Sequence, residues 1–401
     1  MRVAILADGR SPITRGWLSL LTELGYQVHL ITTFPCEINL PLVSQQLVPI
    51  AFSGMGNRKP TGEISAPGGA GAIRLRAAIR RWLGMATFPT AAYRLRTILD
   101  RLDVDLLHAL RIPYEGMLAA QVNPEIPLVL SVWGNDFTLH ANSTPWMGWL
   151  TRRAVRRAHG LHADCQRDVN LSRQWGLGMN RPTVVLPGGG GIDRSMFHTG
   201  TTNPDLLEPG LRAKLEAIPP DAPWVINPRG FRAYVRSDTF FQSIPLILHK
   251  FPKAIFLAPS MLGEAQANQW ITRLGIGHSV VLLPKLAPVE MAALFQRSQV
   301  AISPSEHDGT PNTFLEAIAC GCFPVVGDLA SLREWVQDGT NGLLIDPASP
   351  EALAQAVITA LRDPGLRSQA SAHNQTMIDT RAERSQVGRE LDRFYCEVIA
   401  Q

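Results

Sequence analysis

Short apolar runs alternate with amphipathic stretches along this chain. RVAILAD, at the start, has the length and composition of a strand. Thr14 to Leu24 then reads as a helix, and YQVHLITT as the next strand. DLLHAL, a helix from Met117 to Ala120, and PLVLSVWG repeat the pattern. It breaks at PGGGGIDRSMFHTGTTNPD, Pro187 to Asp205, and then restarts. WVINP is followed by a helix from Phe240 to Leu248, AIFLAP, VVLLP, a helix over Met291 to Arg297, VAISPS, a helix from Pro311, and CFPVVGD. Such alternation makes parallel sheets with helices on both faces. The pattern predicts an α/β protein of two doubly wound domains joined near residues 190–205, ending in a helix from about Ala382 to Ala400. A further break, residues 53–72, is rich in Gly, Ser and Pro and reads as a loop.

Composition narrows the class. With 401 residues, 45% hydrophobic and 18% charged, the chain can bury sizeable cores and is not disordered overall. No apolar run reaches about 18 residues, so no spanning helix is expected. The N-terminus lacks the basic and apolar regions of a secretory leader. Five scattered cysteines without a CxxC pair argue against a disulfide framework and a zinc site. The expected compartment is the cytoplasm.

The net charge of +4 hides an asymmetry. Residues 1–200 carry 21 Lys and Arg against 13 Asp and Glu, and the remainder is mildly acidic. Two clusters stand out: Arg74, Arg76, Arg80 and Arg81 beside Trp82, and Arg152, Arg153, Arg156 and Arg157. At helical spacing, each makes either a solvated helix face or a surface attracted to an anionic membrane. The inner face of a membrane is therefore an alternative location. Nucleic acid is not expected, because no helix-turn-helix, zinc-finger or RNA-binding aromatic motif accompanies the charge.

Candidate chemistry concentrates between Ser303 and Pro347. After the strand VAIS, a polar loop carries Glu306, His307, Asp308 and Gly309. Thr310 reads as a helix N-cap and Pro311 as the first helical residue. A helix opening at the carboxyl end of a strand offers unpaired N–H groups and partial positive charge, which suit a phosphate or diphosphate. Glu316, on the second turn, is unhelpful to phosphate but suits the diol of a ribose. Asp308 can accept from sugar hydroxyls.

In DGTPNTFLEAIACGCFPVV, REWVQDGTNGLLIDP and PEALAQAV the chain resembles the donor-site region of retaining glycosyltransferases of family four (group 1). MRVAILADGRSPITRGW, ELGYQVHLIT, DVDLLHAL, LVLSVWGND and VVLPGGGGIDRSMF fall in that family's order, so the resemblance extends over most of the chain. It implies the GT-B fold, two Rossmann-like domains facing a central cleft. Residues 1–195 would form the acceptor side and 196–381 the nucleotide-sugar side, with the helix over 382–401 packing back on the first domain. It also implies retaining, metal-independent transfer of a hexosyl or pentosyl group from a nucleotide-diphosphate sugar, with UDP the expected nucleotide. No cofactor is implied. The acceptor would be a carbohydrate or lipid-linked hydroxyl compound of polysaccharide, glycolipid or lipid-linked oligosaccharide assembly. A GT-B epimerase or phosphorylase, or a non-catalytic nucleotide-sugar-binding protein, would share the anion site.

Carried over residue by residue, the resemblance implies that Glu316 binds the ribose. Asp308, in place of the family's more usual glutamate, touches the transferred sugar, and Glu306 could share that role. Gly309, Thr310, Pro311, Asn312 and Thr313 form the helix opening that meets sugar and diphosphate. Arg229 matches the family's diphosphate-binding arginine. The family's lysine five positions on is Tyr234 here, and Arg232 and Arg236 are the cations that could replace it. Without a metal, fixed cations must stabilise the charge gathering on the leaving diphosphate, and arginine suits bidentate phosphate contact.

Lys285 and Leu286 fall where the family cradles the base. Gly9, Arg10 and Ser11 fall in its loop after the first strand, although the usual Gly-Gly pair is absent. His108 and Arg111 lie on the implied acceptor side. Trp133-Gly134-Asn135-Asp136 stands where the family often has His-Gly-x-Asp, whose histidine approaches the donor's C6 hydroxyl. An indole has no acceptor nitrogen, which points to a pentose or 6-deoxy donor unless Asp136 or Asn135 takes over the contact. The implied catalytic set is thus Arg229, Asp308, Glu316, Arg236 and Asp136. Asp103-Val104-Asp105, formally a metal-binding DxD, lies before a strand rather than at its end and reads as solvated charge. Cys320 and Cys322 read as small core residues.

Overall fold

The computed structural model describes residues 1–50, 87–122, 125–232 and 234–401. The Arg74–Arg81 cluster and the 53–72 loop lie outside the described residues. The chain divides into two compact units, Met1–Gly190 with Val387–Gln401, and Gly191–Gln386. The division falls at Gly190 rather than at 195 because Ile192 and Phe197 pack into the second unit's core, and Ile192 bridges to Glu383 of the same unit.

The first unit contains β1 (Arg2–Ala7), β2 (Gln27–Thr32), β3 (Ser44–Leu47), β4 (Leu106–Ala109), β5 (Leu128–Val132), β6 (Gly160–Ala163) and β7 (Thr183–Val185). They form one parallel sheet in the order β3-β2-β1-β4-β5-β6-β7. Its helices include α1 (Pro12–Glu23), α2 (Phe88–Leu99), α3 (Pro145–Arg157) and α4 (Gln166–Trp175). β3 has no apolar run to announce it. SQQL is a half-exposed edge strand, and its place depends on pairing with β2.

The second unit holds β8 (Trp224–Ile226), β9 (Ile255–Ala258), β10 (Val280–Leu282), β11 (Val300–Ser303), β12 (Phe323–Gly327) and β13 (Leu343–Ile345). These are parallel in the order β10-β9-β8-β11-β12-β13. Its helices are α5 (Pro209–Glu216), α6 (Ser237–Leu248), α7 (Ala265–Leu274), α8 (Pro288–Arg297), α9 (Asn312–Ala319), α10 (Pro350–Arg362) and α11 (Pro364–Arg381). The final helix, α12 (Arg384–Ile399), enters the first unit from Val387 onward. Among the described residues, no helix is long and apolar enough to cross a membrane.

α12 buries Val387, Leu391, Phe394, Tyr395 and Val398 in the core that holds Val3, Ile5, Trp17 and Val28. The helix presses so closely on β6 that a Cβ at Gly160 would lie 2.4 Å from Val398 and 2.9 Å from Phe394. Beneath it runs a buried chain of hydrogen bonds whose direction follows from its end. The Leu186 carbonyl can only accept, so His162 Nε2 donates to it at 2.9 Å. His162 Nδ1 must then accept from Ser131 Oγ at 2.8 Å, and Ser131 Oγ from His108 Nε2 at 2.8 Å. His108 Nδ1 accepts from the Tyr395 hydroxyl at 2.6 Å, which accepts from Trp17 Nε1 at 3.4 Å.

Every ring nitrogen in this chain is used, and both histidines are neutral. Burial holds His108 well below its usual pKa, with the neighbouring His162 adding to the effect, and lowers His162 to about 4. The unfolded chain therefore takes up protons near pH 6.5 that the folded unit refuses until about pH 4. Stability of the first unit should fall as pH drops through that window, seen as a falling urea midpoint. Tyr395→Phe removes the donor to His108 and should cost about 1–3 kcal/mol at neutral pH. Amide exchange along α12 should rise with it. Unchanged exchange there would deny the hydroxyl its role.

Candidate active site

In the second sheet, β9 lies on one side of β8 and β11 on the other, so the switch point is between β8 and β11. Loops part at such a point and leave a crevice at the carboxyl ends of the strands. Arg229 comes from the loop after β8, and Asp308, Thr313 and Glu316 come from the loop and helix after β11. Arg229 is buried and draws the others together. Its Nη2 donates to Asp308 Oδ2 at 2.5 Å and its Nη1 to Thr313 Oγ1 at 3.2 Å. The Glu316 carboxyl makes no hydrogen bond or ion pair with a described residue. Burial pushes its carboxyl up to about 7, against the pull of the Arg229 charge.

The helix opening differs from the sequence expectation. α9 begins at Asn312, with Pro311 in the N-cap position rather than inside the helix. Proline offers no side-chain acceptor, and the Thr310 hydroxyl is drawn away to accept from Trp335 Nε1 at 2.9 Å. The Pro311 carbonyl takes the N–H groups of Phe314 and Leu315, while the N–H of Thr313 finds no partner among the described residues. Gly309, Thr310 and Pro311 are buried, and Ser331 Oγ donates to the Asp308 carbonyl at 2.8 Å.

Asn227 directly follows β8, in WVINP, and nothing in that sequence marks it as a site residue. It is buried, its Oδ1 accepts from the Arg229 N–H at 3.1 Å, and its Nδ2 has no partner among the described residues. Nε of Arg229 is likewise buried and has no partner among the described residues. Unfilled donors thus gather around one buried cation, an arrangement that a bound anion would complete.

The two substitute cations behave differently. Arg236 donates to Asp238 at 2.7 Å and to Glu306 at 2.9 Å, and both carboxylates raise its pKa. It is already neutralised, and Glu306 is occupied with it. Arg232 is exposed, donates to the Tyr234 hydroxyl at 3.0 Å and has no carboxylate partner among the described residues. Lys285 is exposed and Leu286 half-buried, on the loop after β10. Asp103 and Asp105 pair with Arg2, and Cys320 and Cys322 are buried, Cys322 donating to the Phe295 carbonyl.

The first sheet has its switch point between β1 and β4. A cavity of about 700 Å³ opens there, lined in part by Ser11, Arg111, Tyr114, Glu115 and Trp133. Gly9 lets the loop after β1 pack closely on the segment after β2, since a Cβ there would lie 2.4 Å from Cys36 Sγ. Arg10 folds back onto Asp8 at 2.9 Å and over the Phe34 ring at 3.5 Å. Tyr114 has φ 68° and ψ −60°, a strained conformation braced by the Gly116 N–H on the Arg111 carbonyl at 2.8 Å. Glu115, which no motif marks, is buried, and its carboxyl is pushed up by burial while accepting from Thr33 Oγ1 at 2.7 Å.

Two expectations are corrected here. His108 does not face the cavity; it is fully buried, and both its nitrogens belong to the chain described above. Asp136 is also buried and is a positioning residue rather than a reacting one. Its carboxylate accepts from Arg111 Nε at 3.0 Å, from the Trp133 N–H at 3.2 Å and from the Ile112 N–H at 3.3 Å. It ties the loop after β5 to the loop after β4, and Arg111 in turn lies 5.3 Å from the Trp133 ring.

Residues 220–377 match the family model of glycosyl transferases group 1, and residues 9–189 match the glycosyl transferase 4-like domain. The two stretches together take in most of the chain. The chain belongs to the group 1 glycosyltransferases. The D-inositol 3-phosphate glycosyltransferase of Xylanimonas cellulosilytica is 26% identical over 229 residues, 55% of this chain and 52% of the relative. That of Acidothermus cellulolyticus is 34% identical over 96 residues, 24% of this chain and 21% of the relative. The matches thus span about half or less of these curated relatives' length.

Among solved structures, sucrose-phosphate synthase from Thermosynechococcus elongatus is similar with a TM-score of 0.74 at 15% identity, over 100% of this chain and 99% of its own. An Anabaena protein, HepE, solved in complex with UDP-glucose, has a TM-score of 0.68 at 15% identity, over 99% and 100%. These likenesses establish the GT-B fold for this group 1 glycosyltransferase.

Glu316 supplies a test of the second unit. Its folded-state pKa is raised from 4.5 to about 7, so the folded unit holds a proton that the unfolded chain releases. Stability should therefore fall as pH rises through that window. Glu316→Gln removes the dependence and should stabilise the unit by about 1–3 kcal/mol at a pH of about 8, with little effect at about 4. Urea melts at the two pH values check this. An equal effect at both would deny the raised pKa.

Proposed function

We propose that the chain transfers a glycosyl group, with retention, from a UDP-linked or related nucleotide-sugar to a hydroxyl of a carbohydrate or lipid-linked acceptor. The observation that carries this is the convergence of Arg229, Asp308, Thr313 and Glu316 where β8 and β11 part. In this reading the diphosphate fills the open donors of Arg229, Asn227 and Thr313. Arg232, without a carboxylate partner, adds the charge that the family's lysine supplies. Glu316 accepts from the ribose hydroxyls, Lys285 and the Leu286 backbone flank the base, and Asp308 meets the transferred sugar. The solved UDP-glucose complex of the similar Anabaena protein supports a UDP-linked donor.

The reaction needs no protein nucleophile. The bond from the anomeric carbon to the diphosphate breaks, and the acceptor oxygen bonds to the same face of that carbon. The acceptor proton passes to the leaving phosphate oxygen. Fixed arginine charge and helix-opening N–H groups stabilise the diphosphate as it departs, the role a metal plays elsewhere. Trp133, where the family's histidine approaches the C6 hydroxyl, favours a donor that lacks a C6 hydroxymethyl group.

A donor screen with lipid-linked and soluble acceptors, followed by NMR of the product's anomeric configuration in excess EDTA, tests the reading. Retention with undiminished turnover is expected; inversion or loss of activity in EDTA would contradict it. Binding of donor without turnover on any acceptor would point instead to a non-catalytic nucleotide-sugar-binding protein. Glu316→Ala should weaken nucleoside diphosphate binding by about 1.5–3 kcal/mol in calorimetry. UDP-xylose or a 6-deoxy nucleotide-sugar should outperform UDP-glucose, and a clear preference for glucose would reject the Trp133 argument.

A further inference from the structure

One helix of the first unit presents a surface that the donor chemistry does not use. α3 buries Met147, Leu150, Thr151, Ala154 and Val155 against the core. Its outer face carries Trp146, Trp149, Arg152, Arg153 and Arg156, all exposed and spaced to fall in one stripe. Trp146 is 59% exposed and Trp149 51%, the two rings edge to face at 6.0 Å. Two indoles left in water on one helix face, beside a charged stretch, mark a contact surface.

No acid offsets the charge on this face among the described residues. α3 contains no Asp or Glu. Arg152, Arg153 and Arg156 have no carboxylate partner among the described residues. Arg152 lies over Trp175 at 5.0 Å and Arg153 over Trp149 at 5.7 Å. Stacked guanidinium groups keep their edges available to an oxyanion. A groove of about 500 Å³ runs beside them, lined by Ala120, Trp149, Arg152, Arg153, Arg156 and Arg157. It has room for a phosphate headgroup between cations.

We infer that α3 docks the first unit on an anionic phospholipid bilayer, with Trp146 and Trp149 seated at headgroup level and Arg152, Arg153 and Arg156 on lipid phosphates. The indoles decide for a bilayer over a soluble polyanion, because only an interface rewards an apolar ring body and a polar N–H together. The inference deepens the reading of a lipid-linked acceptor, and it stands or falls without reference to the transfer reaction.

The test is co-sedimentation with vesicles of phosphatidylcholine alone and of phosphatidylcholine mixed with phosphatidylglycerol. The full chain should partition onto the mixed vesicles and detach as salt rises. Arg152→Gln/Arg153→Gln/Arg156→Gln should lower the partition coefficient by about a hundredfold. Trp146→Ser/Trp149→Ser should lower it by about tenfold or more. The same charge removed from exposed positions of the second unit, Lys250→Gln/Arg273→Gln/Arg362→Gln, should change it less than threefold or so. Far-UV circular dichroism confirms that each variant is folded. Equal loss in the second-unit control, absence of binding to mixed vesicles, or binding indifferent to the tryptophans would each overturn the inference. In the last case, competition by inorganic pyrophosphate would identify a soluble phosphate site instead.

Discussion

The hydroxyl of Tyr395 is the point on which the first unit closes. It stands at 2.6 Å from His108 Nδ1, and the chain of donors continues through Ser131 and His162 to the Leu186 carbonyl. One hydrogen-bonded line therefore joins the last helix to β4, β5 and β6 and to the segment after β7. A helix held only by apolar contact could slide on a sheet with little penalty. A buried donor that must meet one particular acceptor cannot, because an unpaired polar group in that interior costs about 1–3 kcal/mol. The same strands end in the loops that carry Arg111 and Trp133, so the relative placement of those strands also sets the geometry of the cavity.

The second unit relies on a different economy of polar groups. The first unit's buried line is satisfied at every atom, whereas around Arg229 donors remain open. Among the described residues the Nε of Arg229, the Nδ2 of Asn227 and the N–H of Thr313 lack partners, and Glu316 lies there with its carboxyl pushed up to about 7. Buried polar groups left unfilled lower the stability of the empty unit and increase what a complementary ligand recovers. A neutralised cation cannot serve this way. Arg236, locked between Asp238 and Glu306, illustrates why a charge count along the loop after β8 overstates the cations available to a phosphate.

Charge in the first unit follows a third logic. At Arg152, Arg153 and Arg156 of α3 it is exposed and has no acid partner among the described residues, and it is interleaved with exposed indoles. Solvated helix faces of stable proteins usually mix both signs at close spacing. A face with one sign and two tryptophans departs from that pattern in the direction of an anionic interface.

The alternation of apolar runs was enough to establish parallel sheets, because strands covered on both faces must be continuously apolar and their crossovers must be helical. The run DGTPNTFLEAIACGCFPVV likewise announced a polar loop leading into a helix and then a strand, since these elements have local signatures. What the sequence could not decide was how each side chain is spent. Asp136 and His108 carry chemistry-bearing side chains at strand ends, yet both are consumed in positioning. Arg232 and Arg236 are alike in sequence context, and only the approach of Asp238 and Glu306 separates them. Pro311 displaced Thr310 from the cap because Trp335, 25 residues away in the chain, takes the threonine hydroxyl. Periodicity and capping are properties of neighbours along the chain, whereas hydrogen-bond commitment is settled by partners that only tertiary folding delivers.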